Sequence, residues 1–243
     1  MGPKNIPILV KSLYTQSLDW LFPPRCASCG KLGNVWCAAC RFHVDLIKKP
    51  YCQRCGSPRI NEVNCLHCAT WNYNFDEARS WGRYAGQLRK AILSLKHRHN
   101  IQLGAELSKG MVEILAAQNW KIDFVIPIPL APHRLAERGY NQAETLAQPL
   151  AVLSQLKLNG KLLQRRHETV KQFELDAHQR WENLLGAFHA EGDELAGSNV
   201  LLVDDIMTTG ATLNAAAVAL KKAGCTKVYS LTLAKTLFDE EGG

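Results

Sequence analysis

Two adjacent carboxylates, Asp204 and Asp205, stand just before Thr208-Thr209-Gly210-Ala211-Thr212 in this 243-residue chain. The types and spacing of these residues suit one kind of chemistry. A helix start offers backbone N–H groups and a positive dipole end, and both favour a phosphate. Thr208, Thr209 and Thr212 add hydroxyl donors, and Gly210 lets the backbone approach an anion with no Cβ in the way. The two acids are poor phosphate ligands, because like charges repel, but they suit the hydroxyls of a sugar. The expected ligand is a sugar phosphate.

Particular elements must hold these groups. Residues 200–203, Val-Leu-Leu-Val, are apolar without alternation, which predicts a strand buried on both faces, with the carboxylates where it ends. A helix over 211–223 follows, stopped by Gly224. Ligands of open α/β sheets bind beyond the carboxyl ends of the strands. The whole stretch resembles the phosphoribosyl-pyrophosphate (PRPP) motif of type I phosphoribosyltransferases: four apolar residues, two acids, then T-T-G-x-T. A response-regulator receiver also has a strand ending in Asp-Asp, but there that strand opens the domain, whereas this one lies near the C-terminus. An ordinary capped helix after a buried strand would leave the paired acids unexplained.

A second constellation runs from Pro127-Ile-Pro129 through Arg134 and Arg138-Gly139-Tyr140-Asn141-Gln142. It reads as a strand over 124–130 followed by a basic loop. Arginines at a strand's carboxyl edge match phosphate oxygens in bidentate geometry. Asn141 with Glu144 also makes a good helix start, which explains Asn141 without a ligand but not Arg138 or Gly139. A third stretch, over 165–185, is polar and irregular and reads as a mobile lid.

Eight of the nine cysteines lie between Cys26 and Cys68, in four C-x-x-C pairs. Such pairs read as zinc ligands rather than disulfides in a reducing cytosol. The simplest grouping is sequential: Cys26, Cys29, Cys37 and Cys40 on one ion, Cys52, Cys55, Cys65 and Cys68 on another. An interleaved grouping fits the spacing too. Four thiolates close a site, so the expected role is structural, and metal would supply folding energy that so short a segment lacks. Trp36, Tyr51, Trp71 and Tyr73 in or beside this module either form its small core or stack nucleic-acid bases.

The remaining composition is that of a globular chain, 47% hydrophobic and 21% charged, with net charge +7 that fits a phosphate-bearing ligand. No run approaches the roughly 18 apolar residues of a membrane span. Lys11 and Ser12 interrupt the first apolar stretch and Asp19 the next, so no secretory signal is expected and the chain reads as cytoplasmic. Three units are expected: a short amphipathic helix within 1–24, a double zinc ribbon over 25–73, and an α/β domain over 74–243. In the last, strands over 79–84, 124–130, 161–164, 200–204 and 227–234 alternate with helices over 87–97, 103–119, 143–156 and 211–223. That order predicts a mainly parallel sheet flanked by helices.

Together these residues resemble the ComF/GntX family of competence-associated, phosphoribosyltransferase-like proteins. The marks are Phe22-Pro23-Pro24-x-Cys26-x-x-Cys29, the paired cysteine knuckles, Tyr84 with Leu95-Lys96, the Arg134 to Gln142 loop, Thr169-x-x-Gln172 with Arg180-x-x-Asn183, and the strand ending in Asp204-Asp205. Tyr140 stands where Phe is common, and Cys225 is extra. By this resemblance Asp204 and Asp205 would hold ribose hydroxyls. Met207, Thr208, Thr209, Gly210, Ala211 and Thr212 would hold the rest of PRPP around its 5′-phosphate. Arg134, Arg138 and Gly139 would meet the pyrophosphate. Thr169, Gln172 and Arg180 would belong to a flexible hood. Mg²⁺ would accompany PRPP. The resemblance further implies single-stranded DNA and other DNA-uptake proteins as partners in natural transformation. Phosphoribosyl transfer is one reading, and a non-catalytic PRPP sensor or DNA-binding module is the other. The residues give no clear nucleobase pocket and no obvious general base.

Overall fold

Val200, Leu201, Leu202 and Val203 are fully buried. They alternate between two separate cores: Val200 and Leu202 enter one, Leu201 and Val203 the other. A strand that feeds two cores must lie in the middle of a sandwich of helices, which is why its sequence shows no polar alternation. The computed structural model describes residues 23–59, 65–97, 100–165, 181, 184 and 186–237. The helix expected before Pro23 and the hood residues Thr169, Gln172 and Arg180 lie outside the described residues.

The strands are β1 (Glu77–Arg83), β2 (Phe124–Pro127), β3 (Lys157–Leu158), β4 (Leu163–Arg165), β5 (Phe188–Ala190), β6 (Asn199–Met207) and β7 (Lys227–Lys235). The helices are α1 (Ala38–Phe42), α2 (Leu66–Thr70), α3 (Gly86–His97), α4 (Ile101–Ala116), α5 (Pro132–Arg138), α6 (Gln142–Ser154) and α7 (Ala211–Lys222). Among the described residues the main sheet has the order β1-β7-β6-β2-β3, and every neighbouring pair is parallel. Helices α3, α4 and α6 cover one face through Leu88, Ile92, Leu103, Leu107, Leu146 and Leu150. Helix α7 covers the other through Leu213, Ala216 and Leu220. The chain leaves β2 by way of α6 on one face and leaves β6 by way of α7 on the opposite face. The crevice between the carboxyl ends of β2 and β6 is therefore a topological switch point, the expected place for a ligand in such a sheet.

Three elements differ from their sequence reading. The strand expected over 161–164 begins with a 3-10 turn, Gly160–Leu162, and only Leu163–Arg165 is extended. It pairs antiparallel with β5 outside the main sheet. Three-residue strands are too short for periodicity to reveal. The basic stretch after β2 is not a loop: it forms α5, opened by Pro132 and ended by Gly139 at φ +74°. Pro in the first turn and Gly just past the last one is a normal helix punctuation. Finally, β6 does not end before its acids. It runs on to Met207 because β7 continues beside it, with Asp204 opposite Thr232 and Met207 opposite Lys235.

The cysteine-rich segment lies along the outer edge of β1. Ile47 N–H donates to Trp81 O at 3.1 Å, Arg83 N–H to Asp45 O at 2.7 Å, and Ala78 N–H to Arg54 O at 2.6 Å. The main chain of the ribbon thus satisfies the free hydrogen-bonding side of an edge strand. Arg79 fastens the same seam. It donates to Gln53 O at 2.7 Å and lies over the rings of Tyr51 and Trp120. No helix among the described residues is long and apolar enough to cross a membrane.

Trp81 is the tightest point of this packing. Trp36 of the ribbon meets it edge-on at 5.7 Å, and α4 crosses its other side at Gly110, where an added Cβ would lie 2.3 Å from the indole. Gly110→Ala is expected to destabilise the protein by about 1–3 kcal/mol through overpacking. Thermal unfolding checks this, and an unchanged melting temperature would contradict the packing described.

Candidate functional site

Strand β6 and helix α7 bring together every residue of the 204–212 stretch. The connecting turn places Gly210 at φ +83°, immediately before α7. A side chain is excluded there on two counts. The backbone conformation is left-handed, and a Cβ would sit 2.8 Å from Met207 Cε and 2.9 Å from Tyr73 Cε1. Thr209 is buried and its Oγ1 accepts from Ala211 N–H at 3.3 Å. A helix leaves its first N–H groups without an internal acceptor, so those that follow remain for a ligand. Ile206 to Leu213, together with Leu184, line a cavity of about 130 Å³ over this turn.

The two acids have different surroundings. Asp205 is largely buried and its Oδ2 lies 3.0 Å from Lys96 Nζ. Asp205 N–H donates to Asp204 Oδ1 at 2.8 Å. Burial, and then the neighbouring charge of Asp205, push the Asp204 carboxyl up to about 7. That N–H, Lys96 and Arg165 act in the opposite direction and do not overcome burial. Near neutrality Asp204 can therefore both accept and donate a hydrogen bond, which suits a sugar hydroxyl.

Helix α5 carries Arg134 and Arg138 at the end of β2. Arg138 Nη1 donates to Gln142 Oε1 at 3.0 Å, across Gly139 to the start of α6. Asn141 caps α6 by accepting from Ala143 N–H at 3.0 Å, and its Nδ2 donates to Ile128 O at 3.0 Å. The cap accounts for Asn141, as the sequence allowed. Arg134 shares its electrostatic surroundings with Arg165, which also feels Asp204; burial is the main influence lowering the Arg165 pKa. Arg165 thus lies within electrostatic reach of both Arg134 on α5 and Asp204 on β6.

Four residues contribute beyond those expected for the site: Lys96, Tyr140, Arg165 and Tyr73. Lys96 sits at the end of α3, four residues after Ile92 and hence on the buried face. A cation on an apolar face was the available signal. The hydroxyl of Tyr140 donates to Leu95 O beside it, which gives the Tyr at that position a use. Arg165 was read only as the start of the polar stretch. Tyr73 lies more than a hundred residues from the turn it contacts, and its hydroxyl donates to Thr209 O at 2.9 Å. Nothing local in the sequence marks that contact.

The cysteines fall into two groups of four, Cys26, Cys29, Cys37 and Cys40, and Cys52, Cys55, Cys65 and Cys68. Within each group the sulfurs lie within 4.8 Å of one another. The Cys26–Cys40, Cys29–Cys37, Cys52–Cys68 and Cys55–Cys65 pairs are 3.6, 3.7, 3.6 and 3.5 Å apart. A tetrahedral zinc with bonds of about 2.3 Å calls for sulfurs about 3.8 Å apart, so both groups fit. The grouping is the sequential one. Burial disfavours the thiolate of Cys26, but N–H donors of Cys37, Cys29 and Ser28 outweigh it and hold the thiol near 6. Cys52 is held down to about 7 in the same way, against burial, by Cys55 and Arg54. N–H donors thus favour the thiolate, the form that binds metal, at one cysteine of each group, while burial and the neighbouring sulfurs push Cys40, Cys65 and Cys68 up.

The four aromatic residues beside the cysteines are used in packing. Trp36 and Tyr73 are buried, Tyr51 lies under Arg79, and Trp71 stacks on Trp181 at 4.8 Å. Cys225 is buried with Ser198 Oγ 3.6 Å away, a packing position rather than a reactive one.

Comparison with known proteins follows these two regions. Residues 17–69 match the double zinc ribbon domain, and residues 96–241 match the phosphoribosyl transferase domain. Competence protein F of Haemophilus influenzae is 30% identical over 225 residues, covering 87% of this chain and 96% of its own. Competence protein ComFC of Bacillus subtilis is 26% identical, with 96% of each chain covered. DNA utilization protein YhgH of Escherichia coli K12 is 28% identical, over 83% of this chain and 90% of its own.

Two outcomes follow from this geometry. Metal analysis of the purified chain is expected to return about two zinc ions, and one would mean that a cysteine group is not a site. The second concerns Asp204. Its pKa is raised in the folded state, so its favourable contribution is complete at acid pH and is lost as pH rises through about 7. Asp204→Asn is neutral throughout. Its gain in stability over the native chain should grow by about 1 kcal/mol between about pH 6 and about pH 8.5. Melting curves at both values test this, and a constant difference would refute the raised pKa.

Proposed function

We propose a function from one premise: this chain belongs to the phosphoribosyltransferase-domain family, in the branch that carries a double zinc ribbon. It binds PRPP with Mg²⁺ at the carboxyl ends of β2 and β6 and acts with single-stranded DNA in DNA uptake. The observation that carries the reading is the pairing, at a topological switch point, of two carboxylates with a Thr/Gly turn that opens a helix. Asp204 and Asp205 take the ribose hydroxyls. The main chain and hydroxyls of Thr208, Thr209, Gly210 and Thr212 take the 5′-phosphate, with Met207 and Ala211 lining the turn. Arg134, Arg138 and Gly139 face the pyrophosphate, and by the family resemblance Thr169, Gln172 and Arg180 would contribute to the same end of the site. Mg²⁺ would neutralise charge between pyrophosphate and ribose oxygens. In phosphoribosyl transfer, Arg134 and Arg165 would stabilise the leaving pyrophosphate.

The role in DNA uptake is supported by relatives named competence proteins and a DNA utilization protein. A second reading, PRPP sensing without turnover, has one observation in its favour. Asp205 is already engaged by Lys96, and Asp204 is needed for the sugar, which leaves neither acid to serve as a base. Pyrophosphate release from PRPP in the presence of nucleobases and single-stranded DNA separates turnover from sensing.

Calorimetric titration with PRPP and Mg²⁺ tests binding. The double variant Asp204→Asn/Asp205→Asn is expected to lose at least tenfold in affinity, as for two buried hydrogen-bonding groups. Gly210→Ala should bind no better, for its Cβ meets Met207 and Tyr73. Native affinity in the double variant would show the site assignment to be wrong.

A further inference from the structure

The two cysteine groups lie on opposite faces of the sheet. Cys26, Cys37 and Cys40 pack with Trp36, Val44, Trp81 and Leu88, in the core under α3 and α4. Cys52 and Cys55 pack with Tyr73, Phe75, Met207, Ala211 and Leu213, in the core under α7. Only the second group therefore shares a core with the turn at 208–210.

Three sets of contacts join that second group to the turn. Tyr73, stacked on Phe75 at 4.5 Å, donates its hydroxyl to Thr209 O at 2.9 Å. Its ring fills the space where a side chain at position 210 would go. Asn74 N–H and Nδ2 both donate to Asn214 Oδ1, at 2.6 and 3.1 Å, and so hold the first turn of α7. Lys235 is fully buried, with Nζ 3.3 Å from Cys55 O and 3.5 Å from Met207 Sδ. Its Nζ thereby links the main chain of one cysteine of the second group to the side chain of Met207, beside the turn.

The contact of Tyr73 has a directional effect. A trans peptide is planar, with its C=O and N–H pointing opposite ways. Thr209 O and Gly210 N–H belong to one peptide. A hydroxyl that holds Thr209 O toward the second cysteine group turns Gly210 N–H away from that group. Trp71, between Cys68 and Tyr73, also stacks on Trp181, and Leu184 lines the cavity over the same turn.

We infer that the second cysteine group, acting through Tyr73 and Lys235, sets the conformation of the 208–210 turn, and that the first group does not. Tyr73 and Lys235 are positioning residues, and the two metal sites have unequal duties. One ties the ribbon to the α3 side of the sheet, and the other shapes the ligand turn. This inference rests on the reading of that turn as a phosphate site, and its conformational part can be tested without any ligand.

The experiment is hydrogen exchange on the full-length, zinc-loaded chain, followed over peptides spanning 205–214, alongside calorimetry with PRPP and Mg²⁺. Tyr73→Phe removes one hydroxyl. It should speed exchange in the turn and weaken PRPP binding about fivefold, the factor one neutral hydrogen bond supplies, while retaining two zinc ions and lowering the melting temperature by no more than about 4 °C. Cys65→Ser should speed exchange in the turn more than tenfold, whereas Cys29→Ser should leave it unchanged and loosen the region around Trp36. Equal effects of Cys29→Ser and Cys65→Ser on the turn would overturn the inference. So would native exchange and affinity in Tyr73→Phe. Should the native chain bind no PRPP, the phosphate reading falls, and the exchange comparison still decides whether the second group controls the turn.

Discussion

A strand buried on both faces constrains everything at this site. Residues 200–203 are apolar and fully buried, so the two carboxylates of the strand stand toward its carboxyl end. There β7 continues alongside to Lys235 and keeps β6 extended through Met207. The acids are thereby fixed by ladder hydrogen bonds rather than left on a mobile loop. This accounts for the depth of Asp205 and for the proton that Asp204 holds near neutrality. A strand rather than a loop also gives the precision that the proposed sugar site would require, since main-chain ladders move less than connecting segments.

The electrostatics follow from the same burial. Two adjacent carboxylates in a sheet interior cannot both ionise freely. Lys96 serves one of them at 3.0 Å, and burial leaves the other partly protonated. Arg165 of β4 adds a second cation whose charge reaches Asp204. A phosphate-bearing ligand would bring its own charge to these cations, while its hydroxyls would meet the acids.

Much of this was legible in the sequence because the chemistry is local there. The 200–212 stretch holds strand, acids, turn and helix in thirteen consecutive residues, and the C-x-x-C pairs declare themselves metal ligands by type, though not which pairs share an ion. The parallel sheet followed from the alternation of apolar runs with amphipathic ones. What stayed hidden was non-local or short. Tyr73 meets Thr209 through tertiary packing that no spacing records, and Lys235 lies one residue past the strand expected over 227–234. Strand β5 is three residues long and pairs with β4 across more than twenty residues of intervening chain. Helix α5 was read as a loop since its polar composition offers no apolar stripe: none of its residues is buried.

The ribbon also shields the sheet. Parallel sheets expose rows of unpaired amides at their two margins, and those rows recruit other chains. Here β3 is only two residues long, and the other margin, β1, is sealed by main-chain bonds from Asp45, Ile47 and Arg54. Cutting the cysteine-rich segment away would bare that margin and strip the α7 core of Tyr73. A shortened chain would be a sticky fragment rather than the same protein minus one function. The contribution of each half is therefore open to single substitutions and closed to truncation.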